Sequence, residues 1–456
     1  MAIWWICEPI PIPATSLLPI VLFPLLGIMP TSQATAPFAN HLIFLFMGGF
    51  IIALSIQRWD LHKRIALHII RIVGFSPKRL VLGFMLATAF LSAFVSNTAT
   101  AVMMLPIALA VTQQAKAEAS RVQNANTVNA LEPLGLNLML GIAYAASIGG
   151  VATLIGTPPN TVLAGYLANT YGYEITFAQW LRIGLPLSLV FLPISWWWLT
   201  MIANPMPTVQ THSGAATIQQ AIKALGPMRI GERWTAIVFA LTAAGWIGRP
   251  YLTKLCNAPN MISDATVAMF GALLLFAIPI DRKRRRFAMD WNEASKLPWG
   301  VLLLFGGGLS LAHGFQTSGL AHWIVNQTEY LNTLPTIVLI VAIIATVIFL
   351  TELTSNTATA AMLMPVLSGI AIGLGQSPLI LLAPAAIAAS CAFMLPVATP
   401  PNAIIFASGH VTIPQMARSG FGLNLIGIVL VTLLTYLILI PAFAITLGET
   451  PTWAQQ

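Results

Sequence analysis

The composition of this 456-residue chain excludes an ordinary soluble protein. Hydrophobic residues make up 57% of it and charged residues 7%, with a mean hydropathy of +0.83, whereas soluble domains carry about 25% charged residues. The net charge of +8 argues for membrane topology rather than a nucleic-acid partner, because the basic residues lie between apolar runs. We therefore predict an all-α integral membrane protein.

Apolar runs near the ~20 residues that cross a bilayer recur along the chain. Spans are expected at 14–30, 40–57, 134–169, 180–204, 234–249, 264–280, 297–313, 378–408 and 419–446. Two segments that follow spans, 59–75 and 316–330, are predicted to be amphipathic helices in the membrane interface. Residues 205–233 form the longest polar connection and are predicted to be a solvated loop.

A polar pentapeptide occurs twice, and each copy lies between two short apolar arms. Residues 96–100 and 355–359 both have the sequence Ser-Asn-Thr-Ala-Thr. Non-helical backbone at membrane depth is tolerated only where protein or water covers it. We therefore predict that segments 78–113 and 334–374 are re-entrant hairpins with the pentapeptide at their tips.

Each hairpin is followed by a second shared element, Thr-Pro-Pro-Asn, at 157–160 and 399–402. Two consecutive prolines remove backbone donors and break a helix. The sequence therefore predicts that the spans 134–169 and 378–408 are broken helices. The Asn that follows can satisfy the loosened backbone.

The repeat extends beyond these elements, since Phe46 and Met103 align with Phe305 and Met362 at the offset that relates 96 to 355. Four predicted spans separate the Phe46 span from the Phe305 span, and hairpins add no net crossing. The two copies therefore run in opposite directions. This pattern predicts an inverted-topology repeat, as in many secondary transporters, with a binding site near the bilayer midplane.

The basic residues predict the orientation in the membrane. If 58–80 is cytoplasmic, alternation places further segments inside, namely 114–133, 205–233, 281–296 and 409–418. Of the 21 Lys and Arg residues, all but Arg182, Arg249 and Lys254 then lie in cytoplasmic segments. This is the positive-inside asymmetry, and it predicts a multi-pass protein of the inner (plasma) membrane.

The hairpin tips and helix breaks offer oxygens and backbone donors but no basic side chain. Hydroxyls and amides donate and accept, and the N–H groups that begin the second arm favour an anion. Carbonyls freed next to Gly156 and Ala398 can ligate a hard cation such as Na⁺. Because a buried dianion needs compensation, we predict that the anion and Na⁺ bind together, and such coupling is reciprocal.

Glu352, three residues before Ser355, is the one acidic residue within a hairpin. Three interpretations are open: a proton or cation site, a partner for neighbouring backbone, or a group facing the outer mouth. An enzyme is not expected, because the sequence shows neither a nucleophile–base pair nor metal-ligand spacing. A passive anion channel is also disfavoured, because a continuous basic pore lining is missing.

At these residues the chain resembles the divalent anion/sodium symporter family, the dicarboxylate and citrate carriers. The resemblance extends from Glu8-Pro9 through the final span. It implies Na⁺-driven uptake of a C4 dicarboxylate such as succinate, malate or fumarate. Citrate or sulfate as cargo, and exchange instead of symport, remain open. It also implies a homodimer and elevator-type alternating access.

The resemblance further implies where ions and substrate bind. The first Na⁺ site maps to Ser92, Ser96, Asn97 and the Gly156 region. The second Na⁺ site maps to Thr351, Thr354, Ser355, Asn356 and the Ala398 region. The substrate carboxylates would meet Asn97, Thr98, Thr157, Asn356, Thr357, Thr399 and Pro400.

The repeat and the resemblance together divide the chain. The divisions are 1–76, scaffold part of repeat 1; 77–204, transport part of repeat 1; 205–233, a cytoplasmic loop; 234–332, scaffold part of repeat 2; and 333–456, transport part of repeat 2. The first part is expected to be N-terminally incomplete, because Trp5-Ile6 matches Trp246-Ile247 but follows no apolar run.

Overall fold

The computed structural model describes residues 1–121, 132–206, 213–255, 261–281, 283, 285–320, 323 and 334–455. Within these ranges the chain is mainly helical with almost no strand, and six helices are long and apolar enough to cross a membrane. They are Thr31–Arg58, Asn97–Ala115, Glu132–Val151, Phe177–Ala203, Asn356–Gly373 and Ile413–Ala442. The predicted class of all-α membrane protein is confirmed.

The first half begins with short helices and continues with long apolar ones. In chain order they are α1 (Ala2–Cys7), α2 (Ile12–Thr15), α3 (Leu18–Leu25), α4 (Thr31–Thr35), α5 (His41–Arg58), α6 (Leu61–Val73), α7 (Pro77–Ser92), α8 (Asn97–Arg121), α9 (Glu132–Val151), α10 (Pro158–Tyr171) and α11 (Phe177–Trp197). A 3-10 turn at Ala36–Ala39 leads into α5, and a π-helical segment at Trp198–Ala203 extends α11.

The second half is also mainly helical and contains a small hairpin of strands. Its elements are α12 (Ser213–Leu225), α13 (Ile230–Leu255), α14 (Asp264–Ala277), β1 (Pro279–Asp281), β2 (Arg286–Phe287), α15 (Trp291–Ala294), α16 (Trp299–Thr317), α17 (Thr336–Thr351), α18 (Asn356–Gly373), α19 (Leu379–Ala388), α20 (Pro400–Ala407), α21 (Ile413–Leu434) and α22 (Ile440–Ala442). The two strands pair antiparallel, and a π-helical segment at Thr435–Leu439 joins α21 to α22.

Helix α9 lies at the centre of the core and is buried along nearly its whole length. It packs against α7, α8, α11 and α20. Small residues make this possible: a Cβ atom added to Gly149 would collide with the backbone of Ala89 in α7, and one added to Gly141 would lie 3.0 Å from the Met85 side chain. Close helix approach at small residues is the usual way in which membrane helices associate.

The shared polar elements of the sequence lie at helix ends. Helix α7 ends at Ser92 and α8 begins at Asn97; α17 ends at Thr351 and α18 begins at Asn356; α9 ends at Val151 and α10 begins at Pro158; α19 ends at Ala388 and α20 begins at Pro400. A proline is well tolerated at the first position of a helix, where its missing N–H is not needed. Each copy of each element therefore opens a helix.

The helices that carry these elements interlock across the two halves. Helix α8 of the first half packs against α20 of the second, and α10 of the first half packs against α18 and α19 of the second. The second arm of each predicted hairpin, α8 or α18, is therefore in contact with the helix that follows the Thr-Pro-Pro-Asn element of the other half. The site that the elements form belongs to both halves.

The predicted span 14–30 is shorter in the structure than the sequence suggested. The helical stretch ends at Leu25 and is divided into α2 and α3. Prolines explain the difference, since Pro19 lies at the start of α3 and Pro24 lies inside it, and proline removes a helix hydrogen bond.

Residues 205–233 were predicted to be a solvated loop, and this prediction is wrong for the middle of the segment. Residues Ser213–Leu225 form helix α12, which packs against α6 and α8. Its Ile218 side chain is fully buried. Apolar residues at helical spacing give this segment a face to bury, and the sequence interpretation overlooked that spacing.

The amphipathic helix predicted at 59–75 is present as α6, with Ala66, Leu67 and Ile70 buried and Lys63 and Arg71 exposed. The second predicted amphipathic segment, 316–330, lies largely outside the described residues.

Candidate functional site

The first hairpin tip holds a serine hydroxyl between two acceptor oxygens. The Ser92 Oγ atom lies 2.5 Å from Asn97 Oδ1 and 2.7 Å from the Ala146 carbonyl oxygen. Ser92 is fully buried, and Ala146 belongs to the central helix α9. The contact therefore fixes the first tip against the core helix.

The second hairpin tip has the same arrangement, with threonine in place of serine. The Thr351 Oγ1 atom lies 2.7 Å from Asn356 Oδ1 and 3.0 Å from the Ala389 carbonyl oxygen. Thr351 is also fully buried and precedes its Asn by five residues, as Ser92 does. Ala389 directly follows α19, so this tip is fixed to the broken helix of its own half.

A glycine brings the first break close to the first tip. A Cβ atom on Gly150 would lie 2.7 Å from Asn97 Oδ1 and 3.2 Å from the Gly156 carbonyl oxygen. The absence of a side chain lets both groups approach the same point of the backbone. The structure thus brings together Ser92, Asn97, Gly156 and the Ala146 carbonyl, which we call the first oxygen cluster. Thr351, Asn356 and the Ala389 carbonyl form the second oxygen cluster.

Both clusters place several oxygens close together. A hydroxyl carries one hydrogen, and at each tip it faces an amide oxygen and a backbone carbonyl at the same time. The amide oxygen keeps a second lone pair for a further partner. Hard cations take oxygen ligands, so the groups present fit Na⁺ at both tips.

Two hydroxyls of the predicted Na⁺ sites are engaged elsewhere. Ser96 Oγ accepts a hydrogen bond from the Ala99 N–H at 3.3 Å, inside the first turn of α8. Thr354 Oγ1 donates to the Leu350 carbonyl at 3.1 Å and lies 2.5 Å from Thr359 Oγ1. These contacts hold the tips in shape and do not add either hydroxyl to the oxygen clusters.

The remaining predicted site residues differ in exposure. Thr98 and Pro400 are exposed; Asn97, Ser355 and Asn356 are half-buried; Gly156, Thr157, Thr357, Ala398 and Thr399 are buried. Thr399 Oγ1 accepts a hydrogen bond from the Asn402 N–H at 3.2 Å and so caps α20.

An asparagine makes hydrogen bonds to backbone carbonyls in each of the two segments before a Pro-Pro pair. Asn160 Nδ2 donates to the Thr153 carbonyl at 2.8 Å. Asn402 Nδ2 donates to the Leu395 and Ala392 carbonyls at 3.0 and 3.2 Å. Both asparagines are fully buried, and buried carbonyls without a partner are costly, so these amides stabilise the broken segments.

Sequence reasoning missed a direct contact between the two halves. Thr157 Oγ1 lies 3.4 Å from Ser390 Oγ, and both residues are 1% exposed. Ser390 lies in the second break, between α19 and α20. Its position between Ala389 and Cys391, in an apolar run, made it look like part of a helix interior.

Glu352 is buried and serves as a partner for backbone. Its carboxylate accepts hydrogen bonds from the N–H groups of Phe393, Met394 and Leu395 at 2.7 to 3.1 Å, and from Asn424 Nδ2 at 2.7 Å. Of the three interpretations, the structure supports this one, while the outer-mouth alternative is wrong because the side chain is buried. Asn424 is a further residue that the sequence gave no reason to select.

Basic residues take no part in the hydrogen bonds of the two oxygen clusters within the described ranges. In the same ranges, no group of three or more His, Cys, Asp or Glu residues is arranged to hold a metal ion.

Several apolar helices of membrane-spanning length, with polar clusters buried where both halves meet, define a membrane transporter. The chain matches the sodium:sulfate symporter transmembrane region over residues 1–443, and it belongs to that family. It is 47% identical over 441 residues to the sodium-dependent dicarboxylate transporter SdcS of Staphylococcus aureus strain USA300, a match that covers 96% of this chain and 84% of that protein. SdcS of strain N315 gives the same identity and coverage.

Two solved structures share the fold at low sequence identity. The YdaH transporter of Alcanivorax borkumensis superposes with a TM-score of 0.61 at 16% identity, covering 94% of this chain and 89% of that one. MtrF of Neisseria gonorrhoeae superposes with a TM-score of 0.60 at 14% identity, covering 94% and 85%. These likenesses show that the chain shares the fold of these two proteins.

Proposed function

We propose that this protein takes up C4 dicarboxylates, such as succinate, malate or fumarate, together with Na⁺. The observation that carries the proposal is the pair of oxygen clusters, in each of which a hydroxyl, an amide oxygen and a backbone carbonyl lie together. A dianion in a low-dielectric site needs positive charge, and Na⁺ at the two clusters supplies it next to the substrate. The name of the 47% identical relative, a sodium-dependent dicarboxylate transporter, supports the same cargo.

In the proposed site, Na⁺ binds at the first oxygen cluster and at the second. The substrate lies between the N-termini of α8 and α18, whose N–H groups favour carboxylates. The substrate-binding residues proposed are Asn97, Thr98, Thr157, Asn356, Thr357, Thr399 and Pro400. Backbone at Ser96, Thr354, Ser355 and Ala398 completes the proposed cation sites.

Transport is proposed to follow an elevator-type movement of 77–204 and 333–456 against the scaffold parts 1–76 and 234–332. The contacts of α8 with α20 and of α10 with α18 support this division, because they tie the hairpins and broken helices of both halves together. We further propose a homodimer in the plasma membrane. The loops 58–80, 205–233 and 281–296 would face the cytoplasm.

Uptake into empty proteoliposomes tests this function. With an inward Na⁺ gradient, labelled succinate should accumulate, and with choline in place of Na⁺ it should not, because the dianion lacks its cations. Empty vesicles also exclude obligatory exchange, which needs dicarboxylate inside. Uptake that ignores the cation would contradict symport, and competition by unlabelled citrate or sulfate, but not by malate, would assign a different cargo.

Asn97→Ala and Asn356→Ala should each reduce Na⁺-driven succinate uptake at least about tenfold, since each removes a cation ligand worth about 1.5 kcal/mol or more. Asn292→Ala, at an exposed position in α15, is the control and should transport like the unaltered protein. Normal uptake by either tip variant would show that the site is assigned to the wrong residues.

A further inference from the structure

We propose that Ser390 is a positioning residue that couples the second oxygen cluster to Thr157, a substrate-binding residue of the first half. This role rests on the proposed function, since it concerns how Na⁺ and dicarboxylate influence one another. Two sets of contacts meet at Ser390, one through its own hydroxyl and one through the backbone of Ala389 before it.

The Thr157 hydroxyl is directed to the other half of the protein and away from its own helix. Thr157 stands at the N-cap of α10, yet its side chain makes no cap hydrogen bond. Its counterpart Thr399 does cap α20, by accepting from the Asn402 N–H. The Thr157 hydroxyl instead lies 3.4 Å from Ser390 Oγ, with both residues 1% exposed. The position of the Thr157 hydroxyl therefore depends on where Ser390 is held.

The backbone at Ser390 is in turn held by the second oxygen cluster. The Ala389 carbonyl lies 3.0 Å from Thr351 Oγ1, whose single hydrogen it shares with Asn356 Oδ1. A cation bound to Asn356 Oδ1 and to a lone pair of the hydroxyl removes that competitor. The hydrogen then goes to Ala389, and the segment that carries Ser390 is fixed. Cation binding in the second half thus orders a group in the first half.

The Thr157–Ser390 pair has one hydroxyl hydrogen that is not used between the two residues. Thr157 and Ser390 carry two hydroxyl hydrogens, and the contact between them uses one. The other is available to a carboxylate, with which a hydroxyl makes a strong, charge-assisted hydrogen bond. The pair therefore contributes to anion binding mainly when Na⁺ occupies the second cluster. By linkage, the dicarboxylate raises the Na⁺ affinity through the same contact.

The test measures Na⁺ affinity of the purified full-length protein, with and without saturating succinate, by titrating Na⁺ against its unfolding temperature. In the unaltered protein, succinate should raise the apparent Na⁺ affinity. In Ser390→Ala, the Na⁺ affinity without succinate should stay within about twofold of that of the unaltered protein. The gain, meaning the factor by which succinate raises the apparent Na⁺ affinity, should fall about 3- to 10-fold, the range of one net hydrogen bond. A merely structural role would lower the unfolding temperature and leave that gain unchanged.

Variants on the other side of the contact make the test independent of how Ser390→Ala folds. Thr157→Val keeps the shape and removes the hydroxyl, so it should lose the gain, and the double variant should lose no more than the stronger single one. Thr157→Ser keeps the hydroxyl and should retain the gain. Ser195→Ala is the matched control, because it removes a fully buried serine of α11 whose hydroxyl has no hydrogen-bond partner among the described residues.

The outcomes separate this role from the proposed function. An unaltered protein whose Na⁺ affinity does not respond to succinate would count against the proposed function and this role together. An unaltered protein that responds, with full response also in Ser390→Ala and Thr157→Val, would overturn only the role of Ser390. An equal loss in Ser195→Ala would show that general packing is responsible, and would overturn it as well.

Discussion

Single residues hold the unwound segments of this protein in place. The N–H groups of Phe393, Met394 and Leu395 have left the helix, and the carboxylate of Glu352 accepts from all three. Asn402 satisfies the carbonyls of the same break. One acid and one amide thus satisfy the donors and the acceptors of a non-helical stretch of backbone, where each unpaired buried group would cost about 1–3 kcal/mol.

Glu352→Ala should lower the free energy of unfolding by about 3 kcal/mol or more, because it leaves three backbone donors and the Asn424 amide without their acceptor. The measurement is a denaturant titration of the purified protein in detergent. Glu449→Ala, at an exposed position near the C-terminus, should leave stability unchanged. A stable Glu352→Ala variant would mean that the break at 389–399 rearranges without cost.

Helix packing brings the residues of the two oxygen clusters together. Helix α9 brings Ala146 to the first tip, and its close approach to α7 depends on Gly149, where any side chain meets the Ala89 backbone. Helices α8 and α20, and α10 and α18, then cross between the halves. The oxygen clusters exist because these helices can approach closely.

Gly149→Ala should destabilise the protein by about 1–3 kcal/mol, the usual range for an overpacked core, and should reduce uptake because it displaces the Ser92 tip. Gly248→Ala in α13 is the matched control. A Cβ atom there meets nothing within 4 Å, so stability should change by less than about 1 kcal/mol. Equal effects of the two substitutions would argue against tight contact of α7 with α9.

The distribution of charge predicts how the whole molecule is oriented in the membrane. The basic residues around β2 and along α6 lie on segments predicted to be cytoplasmic, whereas the C-terminal end, which follows α21 and α22, is predicted to lie outside. This orientation follows from the positive-inside rule.

Cysteine labelling tests the orientation. Replacing Cys7 and Cys256 by Ser leaves Cys391, which is buried. In that background, Glu449→Cys should react with a membrane-impermeant maleimide added to intact cells, and Arg286→Cys should react only after the membrane is opened. Both positions are exposed, so a difference in labelling reports sidedness. The reverse pattern would invert the predicted topology.

Much of the fold and part of the site could be predicted from particular residues. The repeated Ser-Asn-Thr and Thr-Pro-Pro-Asn elements indicated where helices begin, because proline and glycine-rich or polar stretches end helices locally. Helix α12 was missed, because its short apolar face stands within a polar segment. Ser390 and Asn424 were missed because their partners, Thr157 and Glu352, lie far away in the chain.

The sequence by itself determined the membrane class, the polar elements and their pairing by repetition, since hydropathy and local backbone chemistry depend on neighbouring residues alone. Only the tertiary structure decided which oxygens meet: Ser92 and Asn97 with Ala146, Thr351 and Asn356 with Ala389, and Thr157 with Ser390. These contacts depend on how closely α7 packs against α9 and how closely α8 and α10 pack against α20 and α18. The distances between these helices are set by side chains of both halves, so they cannot be predicted from any single stretch of sequence.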